Sequence, residues 1–163
     1  MEYRGGFKTC ASRCEHIDGP TKPEPNGRRD LSRAAAVRVL VVEDFEPFRR
    51  FVTSTLAGVH DLQVIGEVSD GLAAVQNAVE LQPDLILLDI GLPTLNGFEA
   101  ARQIRKLVPE SKIIFFTQES SADAVQEALS IGAWGYVVKT SARTDLRAAV
   151  EAVMSGKRFV SST

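Results

Sequence analysis

The sequence predicts an α/β fold in which a doubly wound, five-stranded parallel sheet is flanked by five helices. Five short runs rich in Val, Ile, Leu and Phe recur between residues 37 and 156. Because these runs are nearly continuous rather than alternating, they are typical of strands buried on both faces of a parallel sheet. The segments between them carry apolar residues at helical spacing. Five alternations of strand and helix therefore favour a doubly wound sandwich.

The predicted elements follow one another in strict order. The strands are Arg38–Val42, Leu62–Val68, Leu85–Leu88, Ile113–Thr117 and Gly135–Val138. The apolar faces of the five helices are, in turn, Phe48, Phe51, Val52 and Leu56; Leu72, Val75, Val79 and Leu81; Phe98, Ala101, Ile104 and Leu107; Val125, Ala128 and Leu129; and Leu146, Ala149, Val150 and Val153. Pro47 is well placed to begin the first helix, and Gly132 and Gly156 to end the fourth and fifth.

Residues 1–36 are predicted to form a disordered N-terminal tail. The stretch 19–30 contains three prolines and almost nothing to bury, so ordering it would cost entropy without return. Cys10, Cys14 and His16 lie in this tail, but structural zinc expects four ligands on structured support. Reduced, exposed thiols are the better interpretation.

Composition and charge exclude several classes of protein. No apolar run approaches the roughly 20 residues of a membrane span, and no signal peptide is visible, so we expect a cytoplasmic protein without membrane contact. The net charge is -2, and no basic stripe marks the predicted domain. We therefore expect no direct binding of nucleic acid by this chain.

Polar residues follow four of the five predicted strands. Glu43 and Asp44 come after the first strand, Asp89 after the third, Thr117 ends the fourth, and Lys139 follows the fifth. These strand ends border the crevice where open parallel sheets place their chemistry. Two carboxylates 4 Å apart repel by about 4 kcal/mol at an effective dielectric of about 20, and a hard cation such as Mg²⁺ relieves that repulsion.

Carboxylates, a lysine and a hydroxyl at one sheet edge form a cradle for phosphoryl transfer to an aspartate. Taken singly, each residue has an ordinary explanation: an acidic pair often caps a helix, and a lysine is often a surface charge. A nucleotide-binding site is poorly supported, since no Gly-rich phosphate loop follows the first strand.

Motifs along residues 38–155 resemble the receiver domains of two-component response regulators, which have a flavodoxin-like fold. The matching segments are Val39–Asp44, Pro83–Pro93, Asn96–Glu99, Ile113–Thr117 and Gly132–Lys139, and their order and spacing are highly specific. The resemblance implies a domain over residues 37–156 that is a phosphoacceptor switch rather than an enzyme with a separate substrate. It takes part in its own phosphorylation and dephosphorylation.

The resemblance also assigns roles within the cradle. Asp89 is the expected phosphoacceptor, and Thr117 and Lys139 are expected to bind the phosphoryl oxygens. Mg²⁺ is the implied cofactor, with Glu43, Asp44, Asp89 and the backbone carbonyl of Gly91 as its ligands. Tyr136 corresponds to the switch aromatic, which turns inward when the Thr117 hydroxyl moves to the phosphoryl group.

Three positions in the surrounding loops also stand out. Pro93 and Gly97 look like shaping residues of the loop after Asp89, where glycine would permit conformations that other residues resist. Gln118 departs from the family pattern, which has a small residue at this position.

The implied partners are a sensor histidine kinase or a phosphotransfer protein, with a possible homodimer on phosphorylation. Residues 157–163 resemble the start of the C-terminal linker in NarL/FixJ regulators of the LuxR type. A helix-turn-helix output domain would follow that linker and is absent from this sequence, so transcriptional regulation is an expectation of resemblance.

Two alternatives remain open at this point. A haloacid-dehalogenase-type phosphatase would need an acid where Gly91 stands. A non-phosphorylated pseudo-receiver would act as a docking module only.

Overall fold

The computed structural model describes residues 35–162. The predicted tail therefore lies outside the described residues apart from its last two positions, and so do Cys10, Cys14 and His16. Within the described range, no helix is both long and apolar enough to cross a membrane.

One parallel sheet organises this part of the chain. Its strands, in spatial order, are β2, β1, β3, β4, β5 and β6, and every neighbouring pair is parallel. Their bounds are β1 Val37–Val42, β2 Leu62–Val68, β3 Leu85–Leu88, β4 Lys112–Thr117, β5 Gly135–Val138 and β6 Phe159–Val160. The order steps from β1 outward to β2 and then back across to β3, so the crevice of this doubly wound sheet opens beside β1 and β3.

Five helices cover the two faces of the sheet, as the sequence predicts. They are α1 Glu46–Ala57, α2 Gly71–Leu81, α3 Gly97–Leu107, α4 Ala122–Ile131 and α5 Ala142–Met154. Buried side chains form two separate clusters, one between the sheet and α2, α3 and α4, and the other between the sheet and α1 and α5. Gly132 ends α4 in the left-handed region with φ of 97°, as predicted for a helix stop.

The sixth strand was not predicted. The sequence indicates that the domain ends at residue 156 and that a linker begins there, but Phe159–Val160 pairs in parallel with β5. The Phe159 N–H donates to the Trp134 carbonyl at 3.0 Å, and the Ser161 N–H donates to the Tyr136 carbonyl at 2.8 Å. Without this segment the backbone N–H and C=O groups along the outer edge of β5 would have no partner strand, so pairing with β6 satisfies them. A two-residue strand has no periodicity that a sequence could reveal.

Helix α2 packs on the core through Val75 and Leu81, as predicted, but its other two predicted apolar residues do not face the core. Leu72 and Val79 are about half exposed, whereas Ala74 and Ala78 are fully buried. Gly71 begins the helix so close to the backbone of the loop before α3 that a Cβ atom would overlap it. Small residues let α2 lie close to its neighbours, so packing distance decides which face is buried.

Candidate phosphoryl-transfer site

The residues singled out at the strand ends converge on one cleft. Glu43 and Asp44 follow β1, Asp89 follows β3, Thr117 is the last residue of β4, and Lys139 follows β5. Because β1, β3, β4 and β5 are consecutive neighbours in the sheet, their carboxyl ends meet at the same edge. All five residues line a cleft of about 600 Å³.

Three carboxylates form a compact group in this cleft. One oxygen from each of Glu43, Asp44 and Asp89 lies within 4.8 Å of the other two. Glu43 and Asp89 are buried, with 1% and 5% of their surface exposed, whereas Asp44 is exposed. The cluster thus combines two desolvated carboxylates with one that faces solvent.

Lys139 places its ammonium group between the two buried carboxylates. Its Nζ lies 2.6 Å from Oε2 of Glu43 and 2.8 Å from Oδ2 of Asp89. Only the contact with Asp89 is aligned as a hydrogen bond, so among the described residues Oε2 of Glu43 has a nearby charge but no aligned donor. Burial raises the pKa of Glu43; Lys139 opposes that shift, and the negative charge of Asp89 adds to it.

The backbone after Asp89 fixes the other side of its carboxylate. Oδ1 accepts hydrogen bonds from the N–H groups of Ile90 at 2.7 Å and Gly91 at 3.3 Å. Gly97, the first residue of α3, packs directly on the Asp89 backbone, because an added Cβ atom would overlap the Asp89 carbonyl. The loop needs glycine at position 97 for this close approach rather than for a positive φ, which Gly97 does not adopt.

The loop after β4 connects Thr117 to Tyr136. The Glu119 N–H donates to Oγ1 of Thr117 at 3.3 Å, and the Tyr136 hydroxyl donates to the Glu119 carbonyl at 2.8 Å. Tyr136 is fully buried, so its ring already lies inward, and burial together with the charges of Glu119 and Asp89 raises the pKa of its phenol to about 12. The Ser121 N–H donates to the Glu119 carboxylate at 2.9 Å and lowers the pKa of that side chain.

The donor set fits Mg²⁺. The three carboxylates supply only oxygen atoms, which Mg²⁺ prefers as ligands. Three carboxylates face the one ammonium group of Lys139, so the cluster keeps negative charge that a bound cation would neutralise. Gly91 lines the same cleft, and its carbonyl stays a predicted ligand.

The structure adds two aromatic residues that the sequence analysis did not place in the site. The ring centroids of Phe48 and Phe116 lie 5.0 and 5.7 Å from Nζ of Lys139. In the sequence Phe48 belongs to the apolar face of α1 and Phe116 to the apolar run of β4. Helical spacing after the acidic pair is the only signal that pointed to Phe48, and it indicates core packing as readily as a site.

Comparisons with known proteins agree with this geometry. A family model described as the response regulator receiver domain matches residues 39–151. The transcriptional regulatory protein LiaR of Bacillus subtilis is 37% identical over 121 residues, which cover 74% of this chain and 57% of LiaR. A LuxR-family two-component response regulator from Aurantimonas superposes with a TM-score of 0.73 at 30% identity, covering 77% of this chain and 89% of that one.

The signal receiver domain of the putative response regulator NarL from Mycobacterium tuberculosis gives a TM-score of 0.71 at 31% identity, covering 76% of this chain and 100% of that one. The parallel-sheet fold and the acidic residues at its strand ends are those of a phosphoacceptor signalling domain. The chain belongs to the response regulator receiver domain family of two-component systems. The resemblance identified from the motifs is thus confirmed, including its LuxR-type character, and a docking module without phosphorylation is not favoured.

Proposed function

We propose that this chain is a phosphorelay switch that accepts a phosphoryl group on Asp89 from the phosphohistidine of a sensor kinase or phosphotransfer protein. The observation that carries the proposal is the burial of the Asp89 carboxylate and the contacts around it. It is buried at the floor of an open cleft, held by two backbone N–H groups and Lys139, and lies beside Glu43 and Asp44.

The arrangement supports attack by an Asp89 oxygen on the phosphorus atom. An O–P bond forms, the N–P bond of the donor breaks, and the electron pair of that bond returns to the imidazole nitrogen. Lys139 and Thr117 line the cleft, and we expect them to hold the phosphoryl oxygens. The N–H groups of Ile90 and Gly91 hold the Asp89 carboxylate in one orientation. Positioning of this kind is a main contribution of the protein to phosphoryl transfer.

Glu43, Asp44 and Asp89, with the carbonyl of Gly91, would hold Mg²⁺. The bound ion supplies charge neutralisation for the incoming phosphoryl group. Without it, the two buried carboxylates are compensated by the single ammonium of Lys139.

We propose that the switch operates through Thr117 and Tyr136. A hydrogen bond to a charged group contributes about 1.5–3 kcal/mol, and moving a population from 1:99 to 99:1 needs about 5.5 kcal/mol. Two such bonds, from Thr117 and Lys139 to the phosphoryl group, total about 3–6 kcal/mol, so they reach that requirement only at the upper end of the range. Tyr136 is bonded to the loop that carries Glu119, so a movement of that loop would reach β5 and its neighbours.

The proposed switch unit comprises residues 37–156, and β6 of the following segment packs on its sheet edge. The chain spans a little over half the length of LiaR, whose name describes a transcriptional regulator. We propose that this chain likewise serves transcriptional regulation in the cytoplasm, by forming a homodimer or engaging an output partner after phosphorylation. In this role it acts on its own aspartate and turns over no separate substrate.

Intact-protein mass spectrometry after incubation with acetyl phosphate tests the proposal. We expect wild-type protein to gain the mass of one phosphoryl group with Mg²⁺ and none after chelation. Asp89→Asn should gain none. Asp123→Asn is the matched control, because Asp123 is exposed at the rim of the same cleft but outside the carboxylate cluster, and it should react as wild type does.

Beryllofluoride, a stable phosphoryl mimic, separates fast hydrolysis from lack of reaction. A protein that hydrolyses its phosphate quickly should still bind beryllofluoride and shift the NMR signals of Thr117 and Lys139. If neither reagent changes the wild type, or if Asp89→Asn is phosphorylated as fully as the wild type, the proposal is wrong.

A further inference from the structure

The side chain of Lys139 must cross a neighbouring strand to reach the carboxylates. Lys139 follows β5, whereas Asp89 follows β3, and β4 lies between them. Two strand spacings amount to roughly 10 Å. On this path the ammonium lies over Phe116 of β4, with 5.7 Å between Nζ and the ring centroid, and over Phe48 of α1, with 5.0 Å.

Both aromatic rings are within reach of a cation–π interaction. A cation within about 6 Å of a ring centroid is attracted by the negative face of the ring, and the attraction grows when water is excluded. Only 5% of the Lys139 side chain is exposed, so its ammonium is held in a desolvated position. The carboxylates attract the ammonium from one side, and the two rings offer a second favourable contact.

Phe48 differs from Phe116 in its surroundings. Phe116 is buried in the core between the sheet and α1 and α5. Phe48 is only half-buried, and it lines a second cleft of about 330 Å³ between α1 and α5, together with Phe51 and Lys139. Its ring packs edge-on against Phe116, with 6.0 Å between centroids. Phe48 thus joins the exposed surface of α1 to the lysine of the phosphoryl site.

We propose that Phe48 is a positioning residue for the phosphoryl site, because its ring face holds the Lys139 ammonium where it meets Asp89. The catalytic consequence rests on the proposed function, whereas the contact between ring and ammonium does not. Removing the ring while keeping an apolar side chain leaves Lys139 with its carboxylate partners but without its best-placed aromatic contact. The ammonium then samples more positions, and fewer of them suit the incoming phosphoryl group.

Four variants separate this role from ordinary core packing. Phe48→Leu removes the ring, and Phe48→Met does so with a smaller change in length should the leucine variant fold poorly. Phe48→Tyr keeps the ring, and the position is half-buried beside the open second cleft. Phe51→Leu is the matched control, since Phe51 is also half-buried on α1 and lines the same cleft, yet forms no cation–π contact with Lys139 among the described residues.

The first readout is structural and needs no phosphorylation. The Hε and Cε NMR signals of Lys139, assigned by their disappearance in Lys139→Arg, should show an upfield ring-current shift in the wild type. Phe48→Leu and Phe48→Met should lose most of that shift, whereas Phe48→Tyr and Phe51→Leu should retain it. The same lysine shift in all variants would overturn the positioning role.

The second readout is the rate of phosphorylation by acetyl phosphate at saturating Mg²⁺. We expect Phe48→Leu to be about twofold to thirtyfold slower, the factor that one cation–π contact corresponds to, and Phe48→Tyr to recover most of the rate. If Phe51→Leu slowed phosphorylation as much as Phe48→Leu, the effect of Phe48 would be due to core packing and not to its contact with Lys139. If wild-type protein is not phosphorylated at all, the proposed function fails, and the NMR shifts still decide whether Phe48 positions Lys139.

Discussion

Replacing Gly97 by alanine tests whether the loop after β3 holds Asp89 as the structure indicates. An added Cβ atom would lie 2.7 Å from the Cα atom of Ile90 and would also overlap the Asp89 carbonyl. Ordinary contacts of a Cβ atom begin at 3.4 Å, so the two segments must separate by at least about 0.7 Å. Both obstacles are backbone atoms, and no flexible side chain can move aside instead.

Two opposing effects determine the stability of this variant. Alanine has a higher helix propensity than glycine by up to about 1 kcal/mol. Overpacking that forces a backbone shift costs about 1–3 kcal/mol and occasionally more. We therefore expect Gly97→Ala to lower the free energy of unfolding by up to about 2 kcal/mol, and by more if the backbone shift is larger.

The effect on phosphorylation should be larger than the effect on stability. A misplacement of about 1 Å at a reacting group costs about a hundredfold in rate, and the displaced segment carries the two N–H groups that orient Asp89. We expect phosphorylation by acetyl phosphate to slow by about tenfold to a hundredfold at a temperature where the variant remains folded.

Urea unfolding and the mass-spectrometric phosphorylation assay measure both quantities. Gly58→Ala is the control, because an added Cβ atom there meets its nearest neighbour at an ordinary 3.6 Å and the φ of Gly58 is −84°. That variant should be unchanged or more stable by about 0.4–1 kcal/mol. If Gly97→Ala matched wild type in stability and rate, the close packing of α3 on Asp89 would be refuted.

Three further predictions concern Glu43, Ser161 and Tyr136. The raised pKa of Glu43 means that the folded protein holds this proton more tightly than the unfolded chain, so its stabilising contribution is present below pH 4.5 and is lost as the pH rises through the folded-state pKa. Without Mg²⁺, the stability of Glu43→Gln relative to wild type should therefore increase with pH above 4.5. Urea unfolding at several pH values, with a chelator present, measures this. A difference in unfolding free energy that does not change with pH would contradict the raised pKa of Glu43. Ser161→Ala removes a buried hydroxyl that donates to Asp145 at 2.6 Å, so we expect a loss of about 1–3 kcal/mol in urea unfolding. A loss below about 0.5 kcal/mol would mean that this hydroxyl contributes little to stability. Tyr136→Phe removes the hydrogen bond to Glu119 and should cost about 0.5–1.5 kcal/mol. Ultraviolet titration of wild type against this variant should show a phenol that ionises near pH 12, and ionisation near pH 10 would contradict its burial.

The order of the strands and helices, and the residues that meet at the strand ends, are predictable from the amino-acid pattern. Strands such as Leu85–Leu88 are predictable because four consecutive large apolar residues suit a strand covered on both faces. Glu43, Asp89 and Lys139 were predictable as neighbours because parallel strands bring their carboxyl ends to one edge, whatever the detailed packing. These features depend on the local residue pattern and on the order of the elements, and both can be read from the amino-acid sequence.

The particular contacts between those elements depend on three-dimensional packing and are not predictable from the pattern. The buried face of α2 combines Val75, which was predicted, with Ala74 and Ala78 in place of Leu72. The distance to neighbouring elements selects small side chains, and periodicity carries no information on that distance. The pairing of β6 with β5 depends on an edge left free by all the other strands. The Lys139 ammonium lies against Phe48 because α1 and β5 approach the same carboxylates from different parts of the chain. Contacts of this kind are set by three-dimensional packing, in which a shift of one ångström changes the partner, so a one-dimensional pattern does not specify them.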